Sequence, residues 1–219
     1  MSDVPPEAVC IVGAAGRTGA HLVDLALGRG LAVTVVVRDR RRLQRADVEV
    51  VEADAARFPI AGGVLRDGMP VISAIAPHGR GPTTAVSDAT RNLVRSMEAL
   101  DNPGRLVITS SRNLVATRPW FFVAPTKFAF RHVYADLTRA EDLVRGSALA
   151  WTIARATRLT DNVPRGSVWT DHEPNATGGD WQLPRPDYAR ALLDLALATS
   201  PRHMTIGING GRPSSAQPR

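Results

Sequence analysis

The chain has 219 residues, of which 44% are hydrophobic, with a formal net charge of +6 and a single cysteine. This length suits one large domain or two small ones, and 22% charged residues is ordinary for a folded globular protein. The lone Cys10 excludes a disulfide framework and a cysteine-rich zinc site, so a cytoplasmic location is expected. No apolar run reaches the roughly 18 residues that span a bilayer, and no membrane partner is expected.

Arginine accounts for nearly all of the basic excess, because Lys127 is the only lysine. A sequence pI near 10.8 is compatible with binding to nucleic acid, whose phosphates need neutralising. The arginines are spread along the whole chain, however, and the one dense cluster lies within residues 38–45. The distribution therefore favours a protein that does not bind nucleic acid.

Short apolar runs alternate with helical stretches along the chain. Strands are predicted at 8–12, 31–37, 48–51, 71–75, 105–109, 150–154 and 204–208. Helices are predicted at 17–29, 83–100, 127–145 and 187–198. This alternation predicts an α/β fold with a single Rossmann-like, doubly wound parallel sheet flanked by helices. Residues 1–209 are expected to form one domain and residues 210–219 a flexible tail.

A glycine-rich loop separates the first predicted strand from the first predicted helix. Its glycines are Gly13, Gly16 and Gly19, and the second strand follows by residue 31. The first glycine permits a tight turn, the second lets the backbone approach a pyrophosphate, and the third lets helix and strand pack closely. The N–H groups at the helix start then hold the phosphates. The loop predicts dinucleotide binding by Gly13, Ala15, Gly16, Arg17, Thr18 and Gly19.

The spacing of this loop is G-x-x-G-x-x-G, and the chain here resembles the atypical short-chain dehydrogenase/reductases. It is most similar to the NmrA-like group and to the flavin reductase/biliverdin reductase B group. The stretches that carry the resemblance are residues 11–19, 33–39, 81–94, 151–155 and 159–161. The resemblance implies an NAD(P)-binding Rossmann-like domain.

The residues after the second strand bear on the choice between NAD and NADP. NAD-binding proteins usually place a carboxylate there for the ribose 2′-hydroxyl, and NADP-binding proteins place a cation for the 2′-phosphate. The resemblance implies that Arg38 contacts that phosphate, and Arg17 is a second candidate because guanidinium binds phosphate bidentately. Asp39 favours NAD instead, because its carboxylate could accept a hydrogen bond from the ribose hydroxyl. NADP(H) is the expected cofactor.

Further cofactor contacts are expected where other strands end. The resemblance assigns Asp54 and Ala55 to the adenine. The segment that ends the fourth strand is expected to line the ribose next to the nicotinamide. The fifth strand ends with two serines at the carboxyl edge of the sheet, where ligands bind in this architecture. The remaining predicted cofactor residues are Ala74, Ile75, Ala76, Ser110 and Thr157.

The usual catalytic dyad of short-chain dehydrogenases, a tyrosine four residues before a lysine, is missing. The only tyrosines are Tyr134 and Tyr188, and positions 138 and 192 hold Thr and Leu. Hydride transfer remains feasible because the nicotinamide carries that chemistry. The candidate catalytic residues are Ser111, Tyr134 and His78.

Three other sets of polar residues are further candidate sites. His132 and Asp136 are four residues apart, so they could pair on one face of a helix or simply face solvent. Residues 171–173 (Asp-His-Glu) are adjacent and cannot converge on one ion, so no metal site is predicted. In the segment after the sixth strand, where relatives often have a histidine, Arg158 could instead fix an anionic substrate.

An aromatic cluster at residues 120–130 follows the fifth strand. It contains Trp120 and four of the five phenylalanines. Such a cluster is typical either of the roof of a substrate pocket or of a contact in an oligomer, here a homodimer.

The sequence therefore predicts an NADPH-dependent reductase. It would transfer hydride to a small planar or conjugated acceptor such as a flavin, quinone, imine or enone. Two alternatives stay open: a non-redox isomerase, epimerase or cyclase of specialised metabolism on the same fold, and an NmrA-type regulator that senses dinucleotides.

Overall fold

The structure is a computed structural model that describes residues 6–43, 45–77, 79–199 and 203–211. These residues form five α-helices and ten strands. The helices are α1 (Arg17–Gly28), α2 (Ala85–Glu98), α3 (Trp120–Ala129), α4 (Arg131–Arg145) and α5 (Arg185–Leu197). The strands are β1 (Ala8–Val12), β2 (Ala32–Val37), β3 (Glu49–Glu52), β4 (Val71–Ser73), β5 (Leu106–Ser111), β6 (Trp151–Ala156), β7 (Arg158–Thr160), β8 (Val168–Asp171), β9 (Gln182–Pro184) and β10 (His203–Gly210). None of the helices described is both long and apolar enough to cross a membrane.

Eight of these strands form one sheet in the order β3-β2-β1-β4-β5-β6-β10-β8. All neighbours are parallel except β8, which runs antiparallel to β10 at the edge. The strand order reverses between β1 and β4, so a crevice opens there at the carboxyl ends of the strands. Strands β7 and β9 pair separately. The predicted Rossmann-like, doubly wound sheet is confirmed.

Alternate side chains of the central strands enter cores on opposite faces of the sheet. Val9 and Ile11 pack into the core that contains α1 and α5, whereas Cys10 and Val12 pack into the core of α2. This period of two is what strands buried on both faces require, and it explains their continuous apolar runs. Both faces of the sheet are thereby covered, and a ligand site is expected at its carboxyl edge.

The predicted strands and helices are present, with differences at their ends. The fourth strand, predicted to residue 75, ends at Ser73. The helix predicted at 127–145 is two helices, because the backbone at Phe130 (φ −111°, ψ 20°) leaves helical geometry between α3 and α4. Strands β7, β8 and β9 were not predicted. They have three or four residues each, which is too short for a clear alternation of apolar and polar side chains.

The end of the last strand differs from the predicted start of the tail. Gly210 closes β10, and the Gly211 N–H donates to the Ser167 carbonyl at 3.1 Å. The sheet therefore extends past residue 209, and residues 212–219 lie outside the described part of the chain.

Candidate cofactor and active site

A cleft of about 280 Å³ lies at the crevice between β1 and β4. It combines the glycine loop with the segments that follow β2, β3 and β4, as well as residues from β7 and the start of α5. Most predicted cofactor residues line this cleft, although in the sequence they are spread from Gly13 to Ala76. The lining residues are Val12, Gly13, Ala15, Gly16, Arg17, Thr18, Val36, Val37, Arg38, Asp39, Arg42, Ala53, Asp54, Ala55, Ala56, Ala74, Ile75, Ala76, Ala85, Leu159 and Arg185.

The glycine loop has a geometry that side chains would block. Gly13 has φ +88°, and a Cβ there would lie 3.1 Å from the Ala74 carbonyl carbon and oxygen. A Cβ on Gly19 would lie 2.3 Å from the Gly13 oxygen, and one on Gly16 would lie 3.1 Å from the same atom. The loop therefore packs backbone against backbone. At Gly13 and Gly16 it offers backbone instead of side chain to the cleft.

Helix α1 starts at this loop with its N-terminus directed at the cleft. Gly16 is the N-cap and offers no side-chain hydrogen bond, and the first turn holds no acidic residue. The first N–H groups of a helix have no partner within the helix, and the helix dipole favours an anion beside them. The bare N-terminus and the glycine cradle therefore fit a pyrophosphate.

The end of β2 supplies charged residues at one side of the cleft. Arg38, Asp39 and Arg42 all line it. The Asp39 carboxylate accepts hydrogen bonds from the Arg41 backbone N–H and from Arg41 Nε, both at 3.0 Å. These side-chain and backbone hydrogen bonds hold the pKa of Asp39 below its usual value. Asp39 is therefore an ionised carboxylate that Arg41 engages, and it caps the turn formed by residues 40–42.

A second group of charged side chains lies at the cleft and is ion-paired. Asp161, which follows β7, accepts from Arg17 Nη1 at 3.2 Å and from Arg185 Nη1 at 2.5 Å. Both arginines line the cleft. Sequence reasoning missed Leu159 and Arg185 as lining residues. They enter from distant segments, and nothing local in the sequence marks them.

The segment after β3 is fixed by helix α2. Asp54 accepts from the Ala56 N–H at 3.1 Å, and Asn92 Nδ2 donates to the Ala55 carbonyl at 2.8 Å. Asn92 is buried, so its amide anchors the loop rather than meeting a ligand. Asp54 and Ala55 both line the cleft, in the position where the resemblance places the adenine.

Three predicted cofactor residues, Gly19, Ser110 and Thr157, do not line this cleft, and Gly19 instead packs against the backbone of Gly13. Ser110 Oγ donates to Glu141 Oε1 at 2.7 Å, and Arg155 also binds Glu141, with Nη2 to Oε2 at 2.6 Å. Burial opposes ionisation of Glu141, but the hydrogen bonds from Arg155 and Ser110 outweigh it and keep the pKa of Glu141 below its usual value. Thr157 is buried, and its Oγ1 donates to the Ile208 carbonyl at 3.5 Å. The side chains of Ser110 and Thr157 therefore serve contacts within the protein.

Of the three candidate catalytic residues, Ser111 lies at the end of β5 and Tyr134 on α4. Asn113 follows β5, and its Nδ2 lies 3.4 Å from the Tyr134 hydroxyl. Tyr134 belongs to an apolar cluster that also receives Ile75 from the cleft. Asn113 is 7% exposed, and its Oδ1 is buried without a hydrogen-bond partner among the described residues. His78 lies outside the described residues.

Both readings of His132 and Asp136, a pair on one helix face or side chains that face solvent, are wrong for Asp136. The Asp136 carboxylate is fully buried and accepts from the backbone N–H groups of Val86 (3.0 Å) and Ser87 (3.1 Å), and from Ser87 Oγ (2.5 Å). It thus caps the N-terminus of α2 from the neighbouring helix, a role that a buried carboxylate fills well.

Asp171 and His172, two of the three adjacent residues at 171–173, have separate partners. Asp171 binds Arg112, and His172 Nδ1 lies 2.9 Å from the Thr205 carbonyl oxygen. In the described part of the chain no three His, Cys, Asp or Glu side chains are grouped so as to hold a metal ion.

Taken together, the strand order, the glycine cradle and the bare helix N-terminus define a dinucleotide-binding Rossmann-type protein. The chain matches the model of the NAD(P)H-binding family over residues 13–199 and belongs to that family.

Solved structures at 17–21% identity share the fold of this chain. The anaerobilin reductase ChuY from Escherichia coli O157:H7 is 21% identical with a TM-score of 0.75, covering 97% of this chain and 100% of its own. A short-chain dehydrogenase/reductase from Veillonella parvula, solved in complex with NADP, is 20% identical with a TM-score of 0.69 (97% and 98% covered). The oxidoreductase ylbE from Lactococcus lactis is 17% identical with a TM-score of 0.74 (94% and 92% covered).

Proposed function

We propose that this protein is an NADPH-dependent reductase that transfers hydride to a small planar or conjugated acceptor. The observation that carries the proposal is the cleft itself: a glycine cradle and a bare helix N-terminus, with Arg38 and Arg42 beside the end of β2. The glycine cradle and the helix N-terminus would hold the pyrophosphate, and Arg38 and Arg42 would hold the 2′-phosphate. ChuY, which is named a reductase, and the NADP complex from Veillonella parvula support the proposal by analogy.

The environment of Asp39 supports NADP(H) over NAD(H). A carboxylate that selects NAD must be available to accept from the ribose hydroxyls. Here the Asp39 oxygens already accept from Arg41, at 3.0 Å for Oδ1 and 3.1 Å for Oδ2. Arg38 and Arg42 also line this side of the cleft, and their positive charges suit the binding of a dianionic phosphate.

When bound, a nicotinamide would supply the hydride, and the protein's part is orientation and exclusion of water. Ala74, Ile75 and Ala76 line the cleft after β4, and Leu159 is a further apolar lining residue. The substrate would enter beside Ile75, next to the segments that follow β5. Ser111 stays a predicted substrate contact there.

Tyr134 is the proposed proton donor for acceptors that need one. Asn113 Nδ2 donates to the Tyr134 hydroxyl oxygen at 3.4 Å, which leaves the tyrosine O–H able to donate to a substrate. Asn113 would thus be a positioning residue. Acceptors such as flavins and quinones form stable anions on reduction, so they depend less on this donor.

The test is NADPH oxidation by the purified protein with one acceptor from each class: flavin, quinone, imine and enone. Turnover of at least one acceptor, with one NADPH consumed per product, is the expected result. Rates at background across the set would contradict the proposal. Product formation without any NADPH consumption would instead assign the cleft to non-redox chemistry.

Replacing Tyr134 by phenylalanine should separate the acceptor classes. For an enone, whose reduced form must be protonated, we expect kcat to fall about tenfold, less than full general-acid catalysis supplies because solvent can deliver the proton. For a flavin we expect little change. Asn113→Ala should lower the enone kcat in the same direction and alter its pH profile. Equal effects of Tyr134→Phe on both acceptors would contradict the assignment.

A further inference from the structure

Helix α3 presents an exposed face that is entirely apolar. All of its exposed residues are apolar, and they include Trp120 (74% exposed), Phe121 (67%) and Phe128 (73%). Only Val123 of this helix is buried. Monomeric proteins rarely leave large contiguous apolar patches in water, and such patches mark surfaces that bind something.

The chain around this face carries positive charge and no negative charge. Residues 113–135 contain no Asp or Glu, although they contain three basic residues, Arg118, Lys127 and Arg131. Arg118 and Arg131 are exposed at the two ends of α3, and the Arg131 guanidinium lies 5.2 Å from the centre of the Phe128 ring. The partner that covers the face should therefore be both apolar and anionic.

Residues 172–181 lie beside α3 and add one exposed acidic side chain near it. They pack beside α3 through Asn175, which accepts from the Thr117 N–H at 2.9 Å, and through Trp181, whose ring meets that of Phe122 at 5.7 Å. Of their acidic residues, Glu173 is exposed, while Asp180 pairs with Arg165 at 2.7 Å. The exposed side chains around α3 therefore carry a net positive charge.

We propose that α3 binds the surface of an anionic lipid membrane. Aromatic rings favour the interface between headgroups and acyl chains, and flanking arginines attract anionic headgroups. A second copy of the chain fits less well, because two such faces in contact would bring Arg118 and Arg131 of each copy together without a matching carboxylate on α3. This departs from the expectation of no membrane partner, which rested on the lack of a spanning segment. The contact lies on the surface of the bilayer and needs no spanning helix, and it does not depend on the proposed reductase activity.

Vesicle flotation tests this proposal with the full chain. We expect the protein to bind vesicles of phosphatidylcholine mixed with phosphatidylglycerol at least about tenfold more tightly than vesicles of phosphatidylcholine alone. Serine at positions 120, 121 and 128 together should abolish that binding. The matched control is Phe58→Ser, because Phe58 is 66% exposed but lies outside α3, and it should bind like the wild type.

A charge series keeps the test independent of the aromatic substitutions. Arg118→Gln with Arg131→Gln should weaken binding to the mixed vesicles, whereas Arg95→Gln, an exposed arginine on α2, should not. Unchanged circular dichroism and cofactor binding confirm that each variant is folded. Three results would overturn the proposal: no vesicle binding, equal binding to both kinds of vesicle, or a dimer in solution that the serine substitutions convert to a monomer.

Discussion

Replacing Gly19 by alanine is expected to impair both folding and cofactor binding. The added Cβ would lie 2.3 Å from the Gly13 oxygen and 2.7 Å from the Ala14 Cα, and both are backbone atoms that no rotamer change can move. Overpacking of this kind costs about 1–3 kcal/mol, and we expect the upper end because the backbone itself must shift. The same shift displaces the N–H groups of the loop, so NADPH affinity should fall more than about tenfold.

A control for this substitution lies in the same helix. Gly28 is the last residue of α1, and a Cβ there meets nothing within 4 Å. Gly28→Ala should therefore leave NADPH affinity unchanged and leave the free energy of unfolding equal or higher, since alanine favours helix over glycine by up to about 1 kcal/mol. Chemical denaturation and fluorescence titration of both variants make the comparison. Equal behaviour of the two would contradict the packing argument.

Arg112→Met is expected to produce the largest loss of stability among the charged residues. Arg112 is 1% exposed and binds Asp171, whose side chain is 9% exposed, so the pair links the end of β5 to the edge strand β8. A Cβ on Gly207 would lie 2.2 Å from the guanidinium nitrogens, which shows how tightly β10 packs against this group. Removing one partner of a buried pair costs about 3–5 kcal/mol.

We expect the lower end of that range, about 3 kcal/mol, because Thr177 still donates two hydrogen bonds to Asp171. The control is Arg29→Met. Arg29 pairs with Asp194 at the surface, with side chains 35% and 55% exposed, and its loss should cost less than about 1 kcal/mol. Urea denaturation measures both variants. A loss for Arg112→Met no larger than for Arg29→Met would contradict the account.

The Asp171 pair also sets a direction for the pH dependence of stability. Burial opposes ionisation of Asp171, but hydrogen bonds from Thr177 and Arg112 outweigh it and hold its pKa below the usual 3.8. A carboxyl group whose pKa is lower in the folded state stabilises the protein above its unfolded pKa and loses that contribution as pH falls through the folded pKa. The difference between wild type and Arg112→Met should therefore shrink below about pH 3.8.

Local patterns in the sequence predicted the sheet and the glycine loop, because both depend on short-range physics. The buried strands are runs such as Val33–Val37, rich in β-branched residues, and the turn at Gly13 needs a positive φ. Each signal lies within a few residues of the element it specifies. The end of the last strand was less clear, since Gly210 and Gly211 resemble a loop but are ordered by a distant partner, Ser167.

Contacts between distant segments could not be predicted in the same way. Asp136 caps α2 from 50 residues away, and Arg185 enters the cleft through an ion pair with Asp161. Neither role has a sequence pattern, because each depends on which elements the fold places side by side. The same holds for Ser110, whose position at the end of β5 predicted a ligand contact, while its hydroxyl binds Glu141.

The most direct test of the account is a titration of the purified protein with NADPH and with NADH. We expect NADPH to bind at least about tenfold more tightly, and Arg38→Ala to weaken NADPH binding by about ten- to a hundredfold while leaving NADH affinity unchanged, because a charge-assisted hydrogen bond contributes about 1.5–3 kcal/mol. Arg66→Ala, an exposed arginine outside the cleft, should match the wild type for both cofactors. Equal affinity of the wild type for NADPH and NADH would contradict the account.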